Sequence, residues 1–325
     1  MSADAIPGGP IPSRHVARAG EASPAVAGVI HDRGYRHYDG ERIGRLQIIR
    51  ALCWHSFRSA FGIGRGAKAK IVPVITFTAM CLPAVINTIA VARGGAQVVQ
   101  YGTYQFALRV VVMTIFVAAQ APELVSRDLR SRVLPLYFSR PLRRGDYPLA
   151  KFTAFGLACL AMVEIPLVLL YLGMIISIKS GHAAWVQTQG LAGGLAVGLA
   201  LAVLLAAISL ALASLSGRRA YATGAVAIFS FLTWTLTLII YKISQHLPGP
   251  GPHPFAGPVT SGQRLAGLLN PFTVVDGVRQ WSGGTTAGPL AAPGHYGPWY
   301  GVLFLVLLAA SLTVFATRYR RADVA

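Results

Sequence analysis

LAGGLAVGLALAVLLAAISLALAS, residues 191–214, runs for 24 residues without a charge. A hydrocarbon core about 30 Å thick is crossed by about 20 helical residues at about 1.5 Å each, so this stretch can span a bilayer. It must do so as a helix, because backbone polar groups in lipid find partners only within their own segment. Gly194 and Gly198 form a GxxxG step, whose small residues permit close helix packing. In so Ala- and Gly-rich a run, packing within the chain is the simpler reading of that step.

Working outward, six runs of this kind appear, at about 71–91, 104–121, 151–178, 191–216, 220–243 and 298–317. The fold class expected is therefore an all-α integral membrane protein with six transmembrane helices. Composition agrees: of 325 residues, 54% are hydrophobic and 12% charged, where a soluble domain carries about 25% charged residues. Pro73, Pro83 and Pro166 fall inside runs and are expected to kink or end their helices. Cys53, Cys81 and Cys159 lie before or within apolar runs, so no disulfide framework is implied.

The domain order expected is a disordered cytoplasmic tail over 1–34, a connecting segment over 35–70 and a transmembrane domain over 71–325. Residues 1–34 are rich in Pro, Gly, Ala and Ser and lack the apolar core of a signal peptide. With the N-terminus placed in the cytoplasm, 23 of the 29 Lys and Arg residues fall on the inner side, as the positive-inside rule requires. Both termini are then cytoplasmic. The net charge of +18 is read as cationic loops facing anionic headgroups or an acidic partner, not as a nucleic-acid site.

The densest charge lies in SRDLRSRVLPLYFSRPLRRGDY, residues 126–147, with six arginines. A loop that only fixes topology needs a few cations, as Arg218 and Arg219 illustrate. The segment 123–150 is longer. It carries the acids Glu123, Asp128 and Asp146 and the apolar residues Leu129, Val133, Leu134, Leu136, Tyr137 and Phe138. Helical spacing of Leu129, Val133 and Leu136 or Tyr137, with Pro135 and Pro141 as breakers, gives a short amphipathic helix, a break and a return into the third span. Mixed charge with aromatic residues suits a protein-docking surface; a helix lying on lipid is the alternative.

The order Glu123, Ser131-Arg132, Leu134, Leu136, Arg140-Pro141, Arg144 and Lys151 resembles the loop between the second and third helices of ABC-2-type transporter permeases. Pro135 and Arg132 depart from that pattern, which often has an acid and a glycine there. The segment YRHYDGERIGRLQIIRALCWHSFRSAFGIGRGAKAK, residues 35–70, resembles the N-terminal region of actinobacterial permeases of this kind. The resemblance implies a permease subunit of an ATP-binding cassette exporter in a bacterial plasma membrane, moving a lipid, drug-like or other amphipathic substrate. It implies a second permease subunit, identical or related. It also implies separate ATPase subunits that dock on a coupling helix, with Glu123, Arg127, Asp128, Arg130, Arg132, Leu134, Leu136 and Tyr137 as the contact residues.

No cofactor is expected in this chain; ATP and Mg would be bound by the partner. A P-loop needs a Lys directly after a Gly, and none of Lys68, Lys70, Lys151, Lys179 or Lys242 follows one. No catalytic motif such as HExxH or GxSxG is present, so the chain is read as a transporter and not an enzyme. A secondary transporter is the alternative, and a membrane transferase a more distant one.

Three other features complete the reading. Residues 41–66 mix arginines with Ile43, Leu46, Ile49, Trp54, Phe57 and Phe61, as an interfacial helix would. Glu164 is the one acid well inside a span, a position that marks a translocation path or a bond to a neighbouring helix; Arg109 is expected to snorkel to the outer interface. The external loop 244–297 contains two helical pieces, 263–269 and 273–281, which by resemblance cap the outer end of the path. Its histidines, His246, His253 and His295, lack companion ligands, and no metal is expected.

Overall fold

The computed structural model describes residues 44–94, 101–130, 142–143, 145–178, 180–246, 260–284 and 290–321. The expected tail 1–34 and the loop residues 131–141 lie outside these. Nine α-helices are described: α1 Arg45–Ala60, α2 Ala67–Ala92, α3 Tyr101–Arg130, α4 Asp146–Ile175, α5 Gly181–Ser214, α6 Arg219–His246, α7 Ser261–Ala266, α8 Pro271–Trp281 and α9 Gly297–Arg321. No strand occurs among the described residues. Six helices, α2 to α6 and α9, are long and apolar enough to cross a membrane.

α3 and α5 form the centre of the bundle. In each, 61% of the span is buried, against 11% in α6 and α9. The core joins Met113 and Phe116 of α3 to Phe155 and Met162 of α4 and Leu204 and Leu210 of α5. Exposed Ile75 and Ile86 on α2, Phe231 and Ile239 on α6 and Leu305 on α9 leave an apolar outer surface of the kind lipid covers.

Tight helix crossings replace a hydrophobic drive that lipid does not supply. A methyl group on Gly173 of α4 would overlap Thr88 of α2, and one on Gly198 of α5 would overlap the Glu164 carboxylate of α4. The second half of the GxxxG step thus packs against a helix of the same chain.

Two helices exceed their apolar runs. α5 begins at Gly181, ten residues before the apolar stretch, and spans about 51 Å at about 1.5 Å per residue. Its first turns carry His182, Gln187 and Gln189; once the hydrogen-bond ladder is under way, it continues into polar sequence. α3 likewise passes Ala121 and Pro122 and runs to Arg130. The first turns of the arginine-rich segment are therefore the end of the second span helix and not a separate helix. No proline ends its helix: Pro73, Pro83, Pro122 and Pro166 lie inside α2, α3 and α4. A proline forfeits one backbone bond, whereas unwinding in lipid would strand several.

At the end opposite α1, Thr260 and Gln263 form a capping box that starts α7, and the Asn270 side chain accepts from the Phe272 amide to start α8. Asn270 Nδ2 also donates to Thr233 Oγ1 of α6 at 3.0 Å. Pro271 to Gly277 of α8 are buried. Tyr300 of α9 fills the notch beside Gly267 and Gly277, where any methyl would overlap it, and its hydroxyl donates to the Arg264 carbonyl at 2.5 Å.

Candidate functional site

The two roots of the arginine-rich segment, the end of α3 and the start of α4, meet at the α1 end of the bundle. The segment's three acids are all engaged there within the chain. Glu123 of α3 keeps 8% of its side chain exposed. It accepts from Arg65, in the turn between α1 and α2, and forms an ion pair with Arg219 Nη1 of α6 at 2.8 Å. Gly62 and Gly64, at φ +70° and +84°, shape the turn that carries Arg65. A methyl group on Gly62 would also meet the Ala69 carbonyl.

Asp128 of α3 pairs with Lys151 Nζ of α4 at 2.8 Å and accepts from the Tyr147 hydroxyl. Lys151 is buried, with 7% of its side chain exposed, and its ammonium lies 5.4 Å from the Tyr147 ring centre. Tyr147 packs on Tyr319 of α9, ring centres 5.4 Å apart.

Asp146 opens α4, where a helix N-terminus favours negative charge. It accepts from Arg45 Nε at 2.7 Å and Nη2 at 2.5 Å, and from the Arg143 amide at 2.9 Å. The hydrogen bond to Asp146 raises the Arg45 pKa above its ordinary value. Two bonds close the ring at the end of α5. Ser126 Oγ donates to the Ala213 carbonyl at 3.1 Å, and Arg318 Nε of α9 donates to the Ser214 carbonyl at 3.2 Å. The cation of Arg318 also complements the negative end of the helix.

The collar therefore ties α1, the α1–α2 turn, α6 and α9 to the ends of α3, α4 and α5. Of the residues expected to contact a partner, Glu123 and Asp128 are bound into this collar. Arg127 and Arg130 lie on the last turns of α3. Arg132, Leu134, Leu136 and Tyr137 lie outside the described residues. Arg45, Arg65 and Tyr147 do not stand out in the sequence, and Arg219, expected there only to fix topology, pairs with Glu123. Arg45 and Arg65 are 101 and 58 residues from their acids, so no local spacing marks them.

α1 packs Leu52, Ser56 and Ala60 inward, with Ile49 and Phe57 partly buried against the core. Leu46 and Trp54 face outward beside exposed Arg50 and Arg58. The apolar stripe is thus divided between the bundle and the outer surface.

Deeper in the bundle, Glu164 of α4 has both carboxylate oxygens buried and without a hydrogen-bond partner. They lie against the bare backbone of Gly198. Arg109 of α3 is the cation whose charge acts on this group. Arg109 itself is 4% exposed, which corrects the expectation that it snorkels to the surface: its side chain stays inside the bundle.

Cys53, Cys81 and Cys159 are free thiols. Among the described residues, no three of His, Cys, Asp or Glu come together as a metal site would require. No protein-family model matches the chain, and no curated protein matches it.

Proposed function

We propose that this chain is the membrane-spanning permease subunit of an ATP-binding cassette exporter of the ABC-2 type, in a bacterial plasma membrane. The observation that carries the reading is the collar. A force applied to the arginine-rich segment acts first on the ends of α3 and α4. From there Glu123 passes it by ion pairs to the α1–α2 turn and to α6, Asp146 passes it to α1, and Asp128 joins α3 to α4. A loop that served only as a topology signal would have no need of such a mounting.

In this reading the α1 end faces the cytoplasm, and the segment 123–150 is the coupling element on which two ATPase subunits dock. ATP and Mg belong to those subunits. A second permease subunit completes the path, and α7 and α8 cover its outer mouth. Glu164, held beside Gly198, lies along the path of a lipid, drug-like or other amphipathic substrate. Outward-facing Leu46 and Trp54 of α1, flanked by arginines, rest at the cytoplasmic lipid surface.

The test is co-purification with an ATP-binding subunit from the same genome, and coupled ATPase activity of the pair. An apolar anchor in a packed pocket can be worth more than about 2 kcal/mol, an exposed ion pair about 0.2–1 kcal/mol. Leu134→Ala or Tyr137→Ala is therefore expected to weaken the complex more than Arg130→Ala or Arg143→Ala. If a Gly/Ser linker in place of 126–136 leaves both measurements unchanged, the segment is not a coupling element. Transport by the chain without any ATPase would favour a secondary transporter.

A further inference from the structure

At the α8 end, α7 and the turn after it stand off the side of α9 and leave a groove of about 420 Å³. Its lining is almost wholly apolar: Leu265 and Leu268 on one side, Tyr296, Trp299, Val302 and Val306 on the other. Trp299, Val302 and Val306 recur at i, i+3 and i+7, so they form one strip along α9, and all three are exposed. From Trp299 to Val306 the strip runs about 10 Å along the helix.

The groove occupies the first turns of a membrane-spanning helix, which sets its depth. With α9 in a bilayer, that side faces acyl chains and the first turn of the helix lies near the headgroup level. Exposed Trp281 and Trp299, with Tyr296 between α7 and α9, supply the indole and phenol rings that concentrate at that level.

A cation borders the lining of the groove. Arg264 directly precedes Leu265, and its guanidinium packs at Gly294, just before Tyr296, where a methyl group would overlap Nη1. Asp276 is the one acid within 260–321. It is held by Arg279 Nε at 3.0 Å and Gln280 Nε2 at 2.7 Å. Arg264 thus has no acidic partner among the described residues, although it sits beside an apolar slot. A cation over an apolar slot fits an amphiphile with an anionic phosphate head and a hydrocarbon tail.

We propose that this groove binds an anionic phospholipid of the surrounding leaflet, with its phosphate on Arg264 and one acyl chain between Leu265–Leu268 and the Trp299–Val306 strip. The site does not depend on the transport reading: it needs only a bilayer around α9.

The experiment is native mass spectrometry of the full chain in detergent, titrated with phosphatidylglycerol and with phosphatidylcholine of the same acyl chains. Phosphatidylglycerol is expected to be retained more tightly. Arg264→Ala should weaken it about tenfold, the scale of one charge-assisted hydrogen bond, and abolish the preference. Arg264→Lys should keep most of both. Val302→Trp, which fills the slot while leaving the cation, should weaken both lipids. Equal binding of the two lipids by the unaltered chain, or unchanged binding by both Arg264→Ala and Val302→Trp, overturns the proposal. So does a disulfide between two copies through Val306→Cys at high yield in a bilayer, which would make this face a protein interface.

Discussion

The ammonium of Lys151 lies 2.8 Å from the carboxylate of Asp128, and 7% and 19% of the two side chains are exposed. Lys151 opened the third span in the sequence pattern, and Asp128 was grouped with the docking charges. Together they bridge the ends of α3 and α4 beneath the aromatic contact of Tyr147 and Tyr319. Breaking a buried pair leaves an uncompensated charge and costs about 3–5 kcal/mol, whereas replacing both partners can be close to neutral. Lys151→Met is therefore expected to lower the thermal midpoint of the detergent-solubilised chain sharply. The double variant Asp128→Asn/Lys151→Met should recover most of that loss. Additive losses in the two single variants would show that the pair is not coupled.

Asp146 and Arg45 give a contrasting case. The Arg45 side chain is 40% exposed, so solvent screens the pair, and Arg45→Ala should cost little stability. Asp146 also accepts the Arg143 amide at the first turn of α4. Asp146→Ala removes that hydrogen bond as well and should cost about 0.5–1.5 kcal/mol more. Equal losses in parallel denaturation of the two variants would contradict this ranking.

How much of this was legible beforehand follows from what each feature depends on. The six spans were readable because lipid imposes a length and a composition on every helix that crosses it. The pieces around α7 and α8 were readable from Asn270-Pro271 and the polar starts before them. The ends of α3 and α5 were not, because their ladders continue through 123–130 and 181–189, where charged and polar residues interrupt the apolar run. The collar was hidden for another reason. Arg65 and Arg219 reach Glu123 only after helices from three parts of the chain have packed, and a list of charges holds no record of that. The same packing buried Arg109, whose position near a helix end had suggested a solvated cation.

Orientation can be measured directly. With Cys53, Cys81 and Cys159 replaced by alanine, single cysteines at Gly217 and Gly284 occupy opposite ends of the bundle. In the proposed orientation, which has 23 of the 29 Lys and Arg residues on the inner side, Gly217 lies in the cytoplasm. An impermeant thiol reagent applied to intact cells should label Gly284→Cys and leave Gly217→Cys unlabelled until the cells are opened. The reverse pattern would put the arginine-rich collar outside, where no ATPase could reach it.

Glu164 and Gly198 make the last prediction, and it separates packing from transport. The carboxylate sits where a side chain at 198 would stand, so Gly198→Ala forces one of the two to move. Overpacking of this size costs about 1–3 kcal/mol. Glu164→Ala removes the obstacle, so the double variant Gly198→Ala/Glu164→Ala should regain the stability that Gly198→Ala alone loses. Glu164→Gln keeps the volume and removes the charge, and it should leave the fold and the assembly intact. If the carboxylate contacts the moving substrate, Glu164→Gln and the double variant should both lower substrate-stimulated ATPase activity in the reconstituted complex, although both fold. If Glu164 only fills the space that Gly198 leaves, the double variant should transport as well as it folds. Full transport by Glu164→Gln and by Glu164→Ala would remove this carboxylate from the mechanism while leaving the packing argument untouched.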